Sequence, residues 1–239
     1  MLRYIVLSAL TALVLCAHGA PVGATTLNVP PVQQATPAWC WLATGEMVFR
    51  YFGIPSNGAG PNASSSAYQC GEARGQGAVR VGPSGPLSFQ GPCWMNCVPC
   101  AATGSGNLQG LYNLVVQYPQ IVQITVGNTV LLKAQATTSP LSLSALQNEI
   151  DSGRPVFAGI SPGVSYLPPG VSEHAVLIVG YQPGGQIILN DPFPYQQAGM
   201  TPAYVRYGGA QLMPGRFIVP YKALVGPINW ANTIYGVGP

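Results

Sequence analysis

The chain has 239 residues, only 6% of them charged, and a formal net charge of +3. Typical soluble domains carry roughly 25% charged residues, and no basic stripe appears here, which excludes a nucleic-acid footprint. With 30 glycines and 24 prolines, the expected fold is rich in loops, with a surface that is polar but neutral.

Residues 1–24 read as a signal peptide. Arg3 gives a short positive region, an apolar stretch follows from Tyr4 to Ala17, and Val22-Gly23-Ala24 offers a small-residue cleavage site. The apolar stretch is too short for a membrane span. Bulky Leu15 before Cys16 argues against lipoprotein processing. A secreted protein is therefore expected, extracellular or periplasmic, with no membrane contact once the leader is removed. Residues 25–239 would form a single domain, interrupted by a Gly/Pro/Cys-rich insertion at about 54–106.

Within that domain, 25–36 is extended and Ala38 to Phe52 reads as a helix, with Pro37 before it and Gly53 after it. The insertion shows little regular patterning. A second helix is expected from Leu108 to Val116, stopped by Pro119, followed by short strands at Ile121 to Val126 and Thr129 to Leu132. Ser144 and Gln147 fit a capping box that opens a short helix ended by Gly153. Apolar runs at Val156 to Ile160, Ala175 to Val179, Ile187 to Leu189 and Phe217 to Val219 read as buried strands. Helices first and strands last imply an α+β domain, its leading helix packed on an antiparallel sheet.

Six cysteines are present, and Cys16 leaves with the leader. Cys70, Cys93, Cys97 and Cys100 cluster in the insertion. In an exported chain they read as two disulfides of open connectivity, and the alternative is a four-thiolate zinc site. Either reading leaves Cys40 as the free thiol. It sits in the first turn of a helix, where unpaired N–H groups and the helix dipole favour a thiolate. His174 is the one histidine outside the leader, and no other residue can act as a base near neutral pH. The turn at Gln182 to Gly185 folds the next strand back, so Asn190 and Asp191 return alongside His174, where either can orient the imidazole. Gln34 precedes Cys40 by six residues and, with the Cys40 N–H, suits the stabilisation of an oxyanion. Trp39, Trp41 and Trp230 are candidate cleft walls.

Gln34-x5-Cys40-Trp41, His174-Ala175-Val176 running to Gly180-Tyr181, and Asn190-Asp191-Pro192 together resemble the papain-like cysteine peptidases. The likeness is strongest to their bacterial branch, which includes the double-glycine-leader peptidases and related secreted or effector proteases. The segments 150–160 and 221–235 share it, and it covers most of 30–235, weakly across 54–106. The resemblance implies a papain-like fold with Cys40 as nucleophile, His174 as base and Gln34 as oxyanion donor. The third member would be Asn190 by likeness to papain or Asp191 by likeness to the bacterial branch, and Asp191 is favoured. The implied activity is hydrolysis of a peptide or protein substrate through a thioester, without a cofactor and by a monomer. The same residues would serve a thiol-dependent acyl transferase or amidase, or persist in an inactive binding module.

Overall fold

The structure is a computed structural model describing residues 23–58, 60, 62–76, 78–80, 87–89, 93, 96–102, 104, 107–167 and 171–239. Most of the expected signal peptide, residues 1–22, lies outside them, as does Cys16. In chain order the elements are β1 (Thr25–Thr26), α1 (Cys40–Tyr51), α2 (Ser65–Gln76), β2 (Ala78–Arg80), β3 (Leu87–Phe89), α3 (Leu108–Thr125), β4 (Lys133–Thr137) and α4 (Leu143–Asp151). There follow β5 (Val156–Ile160), β6 (His174–Gln182), β7 (Gln186–Asn190), α5 (Tyr195–Ala198), α6 (Ala203–Arg206), β8 (Ala210–Met213), β9 (Arg216–Pro220), α7 (Tyr221–Val225) and β10 (Trp230–Gly238).

An antiparallel sheet in the order β4-β10-β5-β6-β7-β9-β8, with β1 added against β6, forms the centre of an α+β fold. Strand alternation divides the core in two. Ala175, Leu177 and Val179 of β6 join Phe157 and Ile188 against α1 and α3. Val176 and Ile178 join Val156, Ile187 and Leu189 on the opposite face, covered by Leu146 and Ile150 of α4 and Leu224 of α7. Fully burying one such aliphatic side chain is worth about 1.5–3 kcal/mol, so this two-sided burial fixes the register of β6 and with it the position of His174, which pairs with Ile160.

Several expectations differ from the structure. The insertion contains α2, a helix without an aliphatic stripe. It buries Tyr68, Gln69, Gly71, Glu72 and Ala73 instead, so hydrophobic periodicity gave no signal. Pro119 does not stop the second helix, which runs to Thr125 and absorbs the strand expected at Ile121 to Val126. A proline inside a helix costs about 3 kcal/mol, but Leu111, Leu114, Val115, Tyr118, Ile121 and Val122 keep one continuous buried face through it. The Gln120 side chain also donates to the Val116 carbonyl, one turn back. The strand expected at Thr129 to Leu132 lies instead at Lys133–Thr137. The helix cap is Ser142, whose hydroxyl accepts from the Ala145 N–H, rather than Ser144.

Gly45 permits the close approach of α1 to its neighbours: a Cβ there would lie 2.8 Å from Leu114 Cδ2 and 3.3 Å from Glu72 Oε1. α2 is tied to the chain beyond it through sulfur. The four insertion cysteines pair as Cys70–Cys97 and Cys93–Cys100, leaving Cys40 as the free thiol among the described residues. Peptide mapping without reduction should recover the 70–97 and 93–100 linked fragments. Recovery of a different pairing, or of unlinked thiols at these positions in the protein as isolated, would contradict this connectivity.

Candidate active site

Cys40 is the first residue of α1 and is only half-buried. The preceding turn is closed by the Trp39 N–H on the Thr36 carbonyl. The N–H groups of this first helical turn have no intrahelical acceptors, so they point positive charge at the thiol. Burial alone would raise the Cys40 pKa. The hydrogen bond and charge of His174, helped by the Ala175 backbone N–H, outweigh it and hold the thiol below its ordinary value.

His174 opens β6 with its ring enclosed. Nε2 lies 2.7 Å from Asp191 Oδ1, which leaves Nδ1 for the Cys40 sulfur. Desolvation disfavours the imidazolium, but the Asp191 carboxylate and the Cys40 sulfur more than compensate, and the His174 pKa is pushed up to about 10. Both shifts favour a thiolate–imidazolium pair backed by a carboxylate over a neutral thiol beside a neutral ring.

Asp191 is itself fully enclosed and accepts four hydrogen bonds. Oδ1 takes His174 and the Phe193 N–H at 2.8 Å, while Oδ2 takes the hydroxyls of Tyr195 at 2.9 Å and Tyr204 at 2.8 Å. Burial and the adjacent carboxylate push both tyrosine pKa values well above the ordinary phenol range, so both remain donors. Its backbone is held as well, the Asp191 N–H bonding the Gly215 carbonyl at 2.9 Å. Gly215 adopts a φ of 74°, a conformation open to glycine. Neither tyrosine was singled out from the sequence. They lie 4 and 13 residues beyond Asp191 on separate short helices, and no local pattern links them to it.

Asn190 and Asp191 part company. Asn190 shares the sheet face of Ile188, where its Nδ2 donates to the Val29 carbonyl and its Oδ1 accepts from Arg216 Nε at 2.8 Å. It is a structural tie for the segment after β1, and the imidazole belongs to Asp191.

Gln34 is buried near the same turn, but its amide nitrogen donates to the Thr36 and Pro37 carbonyls, both at 2.9 Å. Its Oε1 is enclosed without a partner. In this arrangement both Gln34 donors brace the turn that delivers Cys40, so an oxyanion would have to draw the amide away from them. The three tryptophans are core residues: Trp39, Trp41 and Trp230 are all buried, and Trp39 Nε1 bonds the Cys100 carbonyl. The cleft beside Cys40 is walled instead by Leu108, Leu111, Phe157 and Ile234.

If Tyr195 and Tyr204 anchor the carboxylate, Tyr204→Phe removes one charge-assisted hydrogen bond, worth about 1.5–3 kcal/mol, and the double Phe variant loosens Asp191 further. Asp191→Asn keeps the shape and removes the charge, and should lower kcat/KM by about a hundredfold or more. Asn190→Ala should lower thermal stability more than it lowers turnover. The reverse ranking of Asp191→Asn and Asn190→Ala in a steady-state assay would contradict the assignment.

Residues 100–210 match the model of the Peptidase_C39 like family. That span contains His174 and Asp191 and stops short of Gln34 and Cys40. No curated protein matches the chain. Among solved structures, a protein from Bacillus anthracis described as a C39-like peptidase is similar at 16% identity and a TM-score of 0.43, over 89% of this chain and 96% of that one.

Proposed function

We propose that the protein is a secreted cysteine peptidase with Cys40 as nucleophile, His174 as acid and base, and Asp191 as the group that orients and charges the imidazole. The observation that carries this reading is the hydrogen-bonded chain from Cys40 through His174 to the enclosed Asp191 carboxylate. The Peptidase_C39-like match over residues 100–210 supports it, as do the paired insertion cysteines, which suit an oxidising compartment.

In the first half-reaction the Cys40 thiolate attacks the scissile carbonyl carbon, and the carbonyl electrons move to oxygen. The Cys40 backbone N–H faces that oxyanion at the helix start, and Gln34 joins it when its amide exchanges the Thr36 and Pro37 carbonyls for the substrate oxygen. Collapse breaks the carbon–nitrogen bond as the imidazolium gives its Nδ1 proton to the departing amine, leaving a thioester on Cys40. A water then loses a proton to the neutral imidazole, attacks the thioester carbonyl and releases the acid. The thiolate and imidazolium are restored. Throughout the cycle the Asp191 oxygens stay held by the same four donors.

Cys40→Ala should abolish cleavage of a fluorescence-quenched peptide library while leaving the circular dichroism spectrum unchanged. A thiol-directed peptide electrophile should label the wild-type protein at Cys40 faster than it labels free cysteine. His174→Gln removes the two strongest influences that lower the thiol pKa and leaves burial, so the pH midpoint of alkylation should move upward. Peptide cleavage that survives in Cys40→Ala would overturn the proposal. An isopeptide product formed with added amine would redirect it to acyl transfer.

A further inference from the structure

The cavity beside Cys40, about 60 Å³ in volume, is where a scissile bond would meet the thiol. The rim includes Glu173, Asn107 and Asn232, and Glu173 immediately precedes His174.

The chain contains six carboxylates, of which four are paired within the protein and a fifth, Glu72, is enclosed in it without a partner. Glu46 pairs with Arg50 at 2.8 Å and accepts from Gln69, and Glu149 pairs with Arg154 at 2.8 Å. Asp151 accepts from Tyr181 and Thr25, and Asp191 holds His174. Glu72 is sealed in the core, where burial and the Glu46 charge push its carboxyl well above the usual range. Glu173 is exposed, opens onto the cleft, and makes no hydrogen bond or ion pair among the described residues. In a chain this poor in charge, a solvent-facing carboxylate next to the histidine is conspicuous.

The local charge balance gives it a direction. Thiolate, imidazolium and Asp191 together leave one net negative charge at the site, and Glu173 adds a second. Among the described residues no lysine or arginine lines the cleft to offset them. A low-dielectric concavity with one sign of charge concentrates ligands of the other sign. Resting on the peptidase reading above, we propose that Glu173 is a specificity determinant that selects substrates carrying a cationic group, an ammonium or guanidinium, within reach of the scissile bond. Asn107 and Asn232 supply neutral polar contacts along the same rim and leave the charge preference to Glu173.

The test uses paired peptides that differ only by Lys or Gln at each position flanking the scissile bond, with a second pair differing by a free or acetylated N-terminus. The two pairs separate a side-chain cation from a terminal amine. The wild-type protein should favour one cationic member by about fivefold or more in kcat/KM, as expected of an ion pair partly withdrawn from water. That ratio should shrink as salt is raised. It should fall to about one in Glu173→Gln and drop below one in Glu173→Lys. Binding of the same pairs to Cys40→Ala, with and without Glu173→Gln, gives the preference without turnover. A binding preference that disappears with Glu173→Gln upholds the proposal even if no peptide is cleaved, in which case only the peptidase reading fails. Equal affinities for the cationic and neutral members, or a preference that survives Glu173→Gln, would overturn it. A Glu173→Gln effect equal on both members and expressed as a shifted pH profile would make Glu173 a tuner of the imidazolium instead, and would likewise overturn it.

Discussion

The carboxylate of Asp191 is the group around which the rest of the site is arranged. Placed out of water with no partners, such an anion would cost several kcal/mol. Four donors compensate for that cost here, and only one of them is the imidazole. The other three come from the chain that follows the acid: one backbone N–H and two phenols kept protonated by their own burial. Because Oδ2 is fully used by tyrosines, Oδ1 is left in one orientation toward His174. The imidazole is then fixed with Nε2 inward and Nδ1 outward, and the thiol meets the ring nitrogen that can exchange a proton.

The other half of the site is held from the opposite side of the molecule. Cys40 is positioned by the segment 33–39, which contains little regular structure of its own. Gln69 of α2 donates to the Gln33 carbonyl and to Glu46 of α1, and accepts the Ala35 N–H. Thr36 Oγ1 bonds the Ala101 carbonyl and Trp39 Nε1 the Cys100 carbonyl. The disulfide-bonded region therefore braces the loop that presents Cys40. The Gln34 N–H reaches across to the Pro192 carbonyl at 2.9 Å, joining the cysteine segment directly to the residue after Asp191.

How much of this could be read in advance depended on where the information lay. Cys40 and His174 were legible because each is the sole residue of its kind outside the leader and the paired cysteines. Four strands of the sheet were legible because β-branched runs bounded by glycine and proline mark buried strands. The strand β10, next to the sheet edge, was not. Its sequence, with Asn232, Thr233, Gly236 and Gly238 among apolar residues, carries no clean alternation, and tertiary pairing with β4 and β5 makes it a strand. The helix α2 and the tyrosine pair were hidden for a related reason: their burial is satisfied by polar contacts between distant segments. Asp191 over Asn190 could be argued but not decided from sequence. The choice rests on which of two adjacent residues ends up on which face of the sheet, and Arg216, 26 residues further on, completes the separate hydrogen-bonding site of Asn190.

The proposed mechanism requires an ion pair at rest, sustained by Asp191. The most direct measurement is a pH titration of the His174 imidazole nitrogen chemical shifts in the wild-type protein. The ring should stay protonated through neutral pH and lose its proton only as pH approaches about 10, whereas an unperturbed histidine would do so at about 6.5. A ring that is already neutral at pH 7, with Asp191 intact and the fold unchanged, would contradict it.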